Sequence, residues 1–391
     1  MNPSARFALG VGAGALLVLG LVHRQLMKLL AKRERPPEPL TTAPSVTVIR
    51  PIRGLDVGAE ENVRALMALD YPGELELLFV LDSETDPAFS AVSSLVRALP
   101  TRAVRAEVLI AGTPPKGHTG KLNAMSVGVQ AARGELIAFN DSDTRPTRAM
   151  LSRLVAALMA DPAAGSAFTS IYAASDTPLA GDVGYELLVN AWYGPSVVRA
   201  TGAQGAIPFI MGQLMVFRRD ALDSIGGVGC AHGQFVDDMY LGKQLVAAGW
   251  RNLVVQDPLR VVTGGMDLTL FFKTFRRWLM FSQSGLSFEF TWPNWVRGVA
   301  CWAAWMALAS GMVTAEPSVV LVSMLAIAYS VYDQVTLQRA CHGPPLALRH
   351  LWVPALLPLF AGAVAIASRF SHTVDWRGRS YELDAGATLG A

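Results

Sequence analysis

Phe7 to Val22, "FALGVGAGALLVLGLV", carries no charge and is followed by the basic stretch "HRQLMKLLAKRER". A cleaved leader would have its positive charges first and an A-x-A site after the apolar run; here the order is reversed and no such site follows. The segment reads as a signal anchor. The Lys/Arg on its C-terminal side place the N-terminus outside and the next domain in the cytoplasm. Near the other end lie three more apolar runs, Gly298–Thr314, Val319–Tyr332 and Leu351–Ser368, each near the length that crosses a bilayer. Trp292, Trp295, Trp302 and Trp305 cluster at the start of the first, as interfacial aromatics do. Four full spans would leave the Arg-rich tail outside, against the positive-inside rule. Leu351–Ser368, with Pro354 and Pro358, is therefore expected to be re-entrant or interfacial. No candidate run carries an intramembrane charge pair, which argues against a transporter. The expectation is a multi-pass integral membrane protein.

Composition agrees. With 52% hydrophobic and 16% charged residues, the chain is too apolar for an ordinary soluble enzyme. A net charge of +2 gives no basis for nucleic-acid binding. Cys230, Cys301 and Cys341 are isolated and lack metal-ligand spacing, as expected of a reduced, cytoplasm-facing protein.

Between the apolar ends the texture is that of an α/β domain. The β-rich runs "SVTVIRP", "ELELLFVLD", "RAEVLI", "ELIAFND" and "SAFTSIY" alternate with helix-like stretches such as "GAEENVRALMALD" and "LNAMSVGVQAARG". That order predicts a mostly parallel sheet with covered faces, whose ligands bind beyond the carboxyl ends of the strands. Dinucleotide and P-loop glycine patterns, a G-x-S-x-G elbow and an H-E-x-x-H pair are all absent. What remains is a series of acidic positions. Asp82 ends one strand and could accept from a base or ribose, with Asp86 the better helix cap. Asp141 and Asp143, in "FNDSDTRP", are either a solvated turn or ligands for Mg²⁺ or Mn²⁺, hard cations that leave positions free for phosphates. Asp237 and Asp238 enter a helix ending at Gly249, where acidic residues are also stabilising by themselves. Their side chains should point about 100° apart, so that only one can face a substrate.

Taken together, "VTVIRPIRGLDVGAEENVRALMALDYP", "ELLFVLDSETDPAF", "GKLNAM", "AFNDSDTRP", "FIMGQLMVFRRDALDSIGG", "FVDDMYLGKQLVAAGWR" and "HTVDWRGRSYEL" resemble the ceramide glucosyltransferases, in this order, from about Ser45 to Leu383. The resemblance implies a GT-A-like nucleotide-sugar-binding domain and an inverting transfer of glucose from UDP-glucose to a ceramide-like membrane lipid. By position it implies that Asp82 holds the uracil–ribose end, with Lys121 and Asn123 near the nucleotide. Asp141 and Asp143 hold the divalent cation, and Asp238 is the catalytic base, with Asp237 beside it. Gly212 and Gln213 fall in the acceptor-side loop, and Arg277 and Trp278 match an Arg-Trp motif. The first position of that [Q/R]-x-x-R-W pattern is Thr274 here, with Arg276 as a substitute. Arg377 and Arg379 either pair with diphosphate or mark a cytoplasmic tail, and His372 is either a ligand or structural. The implied organisation is an anchor at 1–30, a linker at 31–44 and a catalytic domain at 45–265. An amphipathic interfacial helix follows at 266–290, then membrane segments at 291–370 and a tail at 371–391. Hopanoid-type glycosyltransferases, using UDP-N-acetylglucosamine or another UDP-sugar, share the motifs and form the alternative. A processive polysaccharide synthase has more spans, and a non-catalytic nucleotide-sugar binder is the alternative from another class.

Overall fold

The computed structural model describes residues 1–32, 35–99, 104–201, 207–285, 288–368, 373–384 and 388–390; His372 lies outside them. Eight strands form the main sheet: β1 (Val46–Ile52), β2 (Leu75–Leu81), β3 (Arg105–Ile110), β4 (Leu136–Asn140), β5 (Thr144–Arg145), β6 (Ala164–Ala174), β7 (Leu214–Arg218) and β8 (Arg251–Val262). Their order is β3-β2-β1-β4-β7-β6-β8-β5. The first four strands are parallel to one another, and β6 is parallel to β8. β7 runs antiparallel between β4 and β6. Every residue of β2 and β4 is buried, as expected of strands covered on both faces. The strand order reverses between β1 and β4, which opens a crevice at their carboxyl ends. Arg53, Asp82 and Asp141 stand at the ends of β1, β2 and β4 and all reach that crevice.

Four helices are long and apolar enough to cross a membrane: Pro3–Ala31, Thr291–Val313, Pro317–Ala340 and Leu348–Ser368. The first three pack on one another through small residues; a Cβ at Gly12 would stand 3.2 Å from Ser323 Oγ. The helices extend beyond the apolar runs of the sequence and take in a buried charge pair. Arg297, fully buried, donates to Asp333 Oδ2 from Nη2 at 2.6 Å and from Nε at 2.8 Å. The sequence-based expectation of no such pair is thereby corrected. His23 Nδ1 on the first helix lies 2.9 Å from Asp333 Oδ1. Arg297 also donates to Ala191 O at 2.9 Å and stacks over the Trp192 ring at 4.3 Å. One buried ion pair thus joins three membrane-length helices to the α/β domain.

The fourth helix packs differently. Pro358 has no N–H to give to Pro354 O, and Gln334 Nε2 supplies the missing donor at 2.7 Å. Trp305 Nε1 and Trp302 Nε1 donate to Ala355 O and Pro358 O at 3.2 and 3.0 Å. Those tryptophans follow Arg297 by only roughly 8–12 Å of helix, so this helix lies at the end of the bundle nearest the α/β domain. After Ser368 the chain resumes at β9 (Thr373–Trp376), which pairs with β10 (Arg379–Asp384) and, through it, β11 (Thr388–Leu389). Five residue steps reach at most roughly 18 Å, well short of a hydrocarbon core of about 30 Å. The β9–β10 hairpin sits on the crevice, so Ser368 ends on the same side as the α/β domain.

Breaking the buried pair should be costly. Asp333→Ala is expected to destabilise by about 3–5 kcal/mol, because Arg297 is left charged in the interior. The Arg297→Met/Asp333→Leu double variant should recover most of that loss. Apparent Tm in detergent, compared across the single and double variants, checks this.

Candidate active site

A cavity of about 430 Å³ opens where the crevice, the β9–β10 hairpin and the Leu268–Gly285 helix meet. Five carboxylates line it (Asp82, Asp141, Asp143, Asp237 and Asp238), with five cations (Arg53, Lys121, Arg277, Arg377 and Arg379).

Asp141 and Asp143 occupy the turn between β4 and β5. Arg50, on β1 and fully buried, holds that turn from beneath. Its Nη2 donates to the carbonyls of Asp141, Ser142 and Thr144 at 3.0, 3.2 and 2.7 Å, and Nη1 to Asn62 O at 2.7 Å. Burial lowers its pKa to about 10, so it stays charged at neutral pH. The carbonyls point at a cation and the carboxylates are turned towards the cavity. Asp143 is pushed up to about 6, by burial first and then by Asp141 and Asp56.

The helix Gly120–Ala131 begins at Thr119, whose hydroxyl accepts from Leu122 N at 3.0 Å. Lys121, in its first turn, donates to Asp141 Oδ1 at 2.7 Å. Burial alone would lower the lysine pKa, but Asp141, then Asp237 and Asp238, raise it overall. Asn123 faces away: it is buried and donates to Ala111 O at 3.1 Å, bracing the loop after β3 rather than lining the cavity. Asn123, expected near the nucleotide, is thus not among the residues that line the cavity.

Asp237 and Asp238 open the helix Asp237–Ala247. Both line the cavity. An angle of about 100° still leaves both within reach of one concave wall, so the expectation that only one can face the site is corrected. Asp237 Oδ1 accepts from Asp238 N at 2.8 Å, while its buried Oδ2 has no hydrogen-bond partner among the described residues. Asp238 Oδ1 accepts from Met239 N at 2.8 Å. Its carboxyl is raised to about 7, by burial first and then by Asp237. Gly212 leaves room for both partners: a Cβ there would stand 2.6 Å from Asp238 Oδ2 and 2.9 Å from Lys121 Nζ. Gln213 follows, lining the cavity, and its backbone carbonyl accepts from Asp141 N at 3.0 Å.

The wall opposite comes from the far end of the chain. Arg377 has φ 52 and Gly378 φ 73, so the hairpin turns in left-handed backbone that costs a non-glycine residue about 1–2 kcal/mol. Arg377 Nη1 donates to Asp56 Oδ1 at 2.5 Å and to Arg53 O at 3.1 Å. Asp82 is paired with Arg53, and with Arg379 Nη2 at 3.1 Å. Gly120 admits the Arg379 guanidinium, since a Cβ would stand 2.2 Å from its Nη1. Sequence reasoning did not single out Arg50, Arg53 or Asp56; two arginines three residues apart at the end of a strand, "IRPIRG", were the available signal. On the remaining side, Trp278 makes edge contacts with Tyr193 and Tyr185, at 5.1 and 6.0 Å between ring centroids. Arg277 lies 5.9 Å from the Trp376 ring centroid. Thr274 lines the cavity, whereas Arg276 donates to Thr373 O in the hairpin and is not among the lining residues. Arg276 therefore does not replace the missing side chain of the [Q/R]-x-x-R-W pattern.

Residues 13–389, almost the whole chain, match glycosyl transferase family 21. The chain belongs to that family. It is 26% identical over 244 residues to ceramide glucosyltransferase 1 of Caenorhabditis elegans, covering 62% of this chain and 50% of the relative. It is 28% identical over 172 residues to the ceramide glucosyltransferase of Gibberella zeae, covering 40% and 33%. It thus spans at most about half the length of these curated relatives. The family 21 chain also shares its fold with the mannosyltransferase PcManGT of Pyrobaculum calidifontis, solved with GDP-Man and Mn²⁺. The TM-score is 0.55 at 21% identity, and the match covers 91% of this chain and 99% of that one. The expected GT-A-like architecture is therefore present, together with apolar helices at both ends.

Gly212→Ala tests the tight junction of Asp238 and Lys121. Both side-chain ends must shift, and turnover should fall at least ~10-fold through misplacement. Apparent Tm should stay within a few degrees of the parent, because both atoms face the cavity rather than the core.

Proposed function

We propose that this family 21 protein is an inverting glycosyltransferase. It moves a hexose, glucose being the first candidate, from a UDP-sugar to the hydroxyl of a ceramide-like lipid at the cytoplasmic face of a membrane. The observation that carries this reading is the position of Asp238, a carboxylate facing the cavity, raised to about 7, and held beside Lys121 and Asp141. A hydroxyl is a weak nucleophile and needs a carboxylate within hydrogen-bond reach to take its proton. A carboxyl near neutrality is a stronger base than an ordinary exposed aspartate and is still ionised in a large share of molecules at pH 7.

The charge of the cavity supports the donor. Five acidic and five basic side chains cancel formally, so a nucleoside diphosphate entering alone would meet no net positive charge. Among the described residues no three His, Cys, Asp or Glu side chains converge as a complete metal shell. Asp141 and Asp143 nevertheless fit a partial one. They are two oxygen-bearing groups on a braced turn, and Asp143 is raised by its own acidic neighbours. Mg²⁺ and Mn²⁺ are commonly held by one or two carboxylates, with water and substrate phosphate as further ligands. When bound, such a cation would supply positive charge against the diphosphate leaving group. Lys121, Arg277 and Arg377 add fixed cations, and the N-terminus of the Gly120–Ala131 helix adds backbone N–H groups. Asp82, freed from Arg53 and Arg379, would accept from the nucleoside end. The solved mannosyltransferase of the same fold carries Mn²⁺, in keeping with this assignment.

Asp238→Asn keeps shape and hydrogen bonding but cannot take a proton. Turnover should drop at least ~100-fold, with UDP-sugar binding nearly intact. Lipid glycosylation followed by thin-layer chromatography, beside UDP binding by calorimetry, checks both halves. Near-normal turnover in Asp238→Asn would assign the proton to another group, Asp237 being the first to examine. Asp141→Asn should raise the Mn²⁺ or Mg²⁺ concentration for half-maximal activity, since one charged oxygen ligand is lost.

A further inference from the structure

Beside the cavity mouth five apolar side chains stand in the open: Leu55 at 60% exposure, Val57 at 50%, Leu179 and Leu270 at 49% and Leu268 at 40%. Single exposed leucines are ordinary. These come from three distant stretches of the chain and are drawn together by specific contacts. Val57 Cγ1 would lie 3.2 Å from a Cβ on Gly264. Next to Gly264, Thr263 Oγ1 donates to Asp182 Oδ1 at 2.9 Å. Asp182, fully buried, accepts at Oδ2 from Leu179 N at 3.0 Å and from Met266 N at 3.2 Å. One interior carboxylate therefore fixes Leu179 relative to the start of the Leu268–Gly285 helix.

We propose that this rim enters the headgroup layer of the bilayer and forms the doorway through which the lipid acceptor reaches the cavity. The proposal rests on the lipid-acceptor reading above and adds the path and the loops that make it. Two observations choose a bilayer as the occupant. The rim continues a surface of membrane-length helices: Phe272, one turn beyond Leu268, packs on Phe360 of the Leu348–Ser368 helix at 5.4 Å between ring centroids. Leu270 belongs to both regions, since it is half exposed on the rim and also lines the cavity. Met266, Met239 and Trp278 line the same cavity as Leu270 and Asp238 and give it apolar surface. A lipid could keep its chains in the bilayer and raise only its hydroxyl along that surface. Lys273, exposed on the next turn, is placed to meet headgroup phosphate.

The test uses the full chain in phosphatidylcholine/phosphatidylglycerol proteoliposomes. In a Cys230→Ser background, with Cys301 and Cys341 buried, Val57→Cys is labelled with NBD. Lipids carrying a nitroxide near the headgroup should quench most of its emission. They should leave NBD at Glu107→Cys, on the exposed β3 edge of the sheet, unchanged. NBD at Val57 that is unquenched by nitroxide lipid would overturn the proposal. If it were open to aqueous iodide, the rim would face water; if shielded from iodide, it would face a protein. As a second reading, Leu55→Asp/Val57→Asp should raise KM for the lipid acceptor about tenfold or more while UDP binding stays at the parent value. An unchanged acceptor KM would overturn the doorway. Quenching with no lipid glycosylation by the parent protein would instead count against the proposed reaction and leave membrane contact standing.

Discussion

Arg50 is the interaction on which the site rests. A guanidinium with no exposure, donating to three carbonyls of the Asp141–Thr144 turn, costs several kcal/mol to bury and repays it only when every partner is in place. That dependence makes the turn rigid. Because the carbonyls are drawn inward to Arg50, the Asp141 and Asp143 carboxylates have only the cavity side left. The same cation also lies under a concentration of negative charge that would otherwise push the turn apart, since Asp143, Asp56 and Asp141 all stabilise its charged form.

Much of the α/β layer was legible in the sequence, because parallel strands buried on both faces must be continuous apolar runs. β1, β2, β4 and β6 announce themselves in that way, whereas β3, at the sheet edge, carries exposed residues within its run. β7 and β8 were not counted among the strands. "LMVFR" is short and runs straight into a helix at Arg219, and β8 is interrupted by the polar Gln256-Asp257 pair and Pro258. The acidic positions were readable, since each stands at a strand end or a helix start. Their environments were not. That Asp237 and Asp238 share one cavity, or that Asn123 braces a loop, depends on where a helix begins in space rather than on spacing. Arg297 and Asp333 escaped notice because each lies just past the end of an apolar run, and only the folded bundle shows that the two ends coincide.

The membrane-length helices and the α/β domain form one object rather than a domain on a tether. The segment Leu188–Tyr193 is a π-helix, a wider turn than the α-helices on either side. Asn190 fixes it to β6 through Ala173, while Trp192 donates to Gln334 Oε1 at 3.1 Å on a membrane-length helix. Tyr193, at its end, lines the cavity. A shift of the bundle would therefore be felt at a wall of the site.

The β9–β10 hairpin has a consequence for how the protein is made. Trp376, Arg377, Arg379 and Tyr381 complete the cavity, yet they follow every membrane-length helix in chain order. The hairpin can dock only after the helices before it have emerged from the ribosome. Docking also requires the end of the Leu348–Ser368 helix to stay close to the α/β domain. A molecule whose insertion goes astray would thus carry an intact sheet and all five aspartates, but no closed pocket. The order of synthesis would act as a checkpoint, leaving the cavity open until the chain has been threaded correctly.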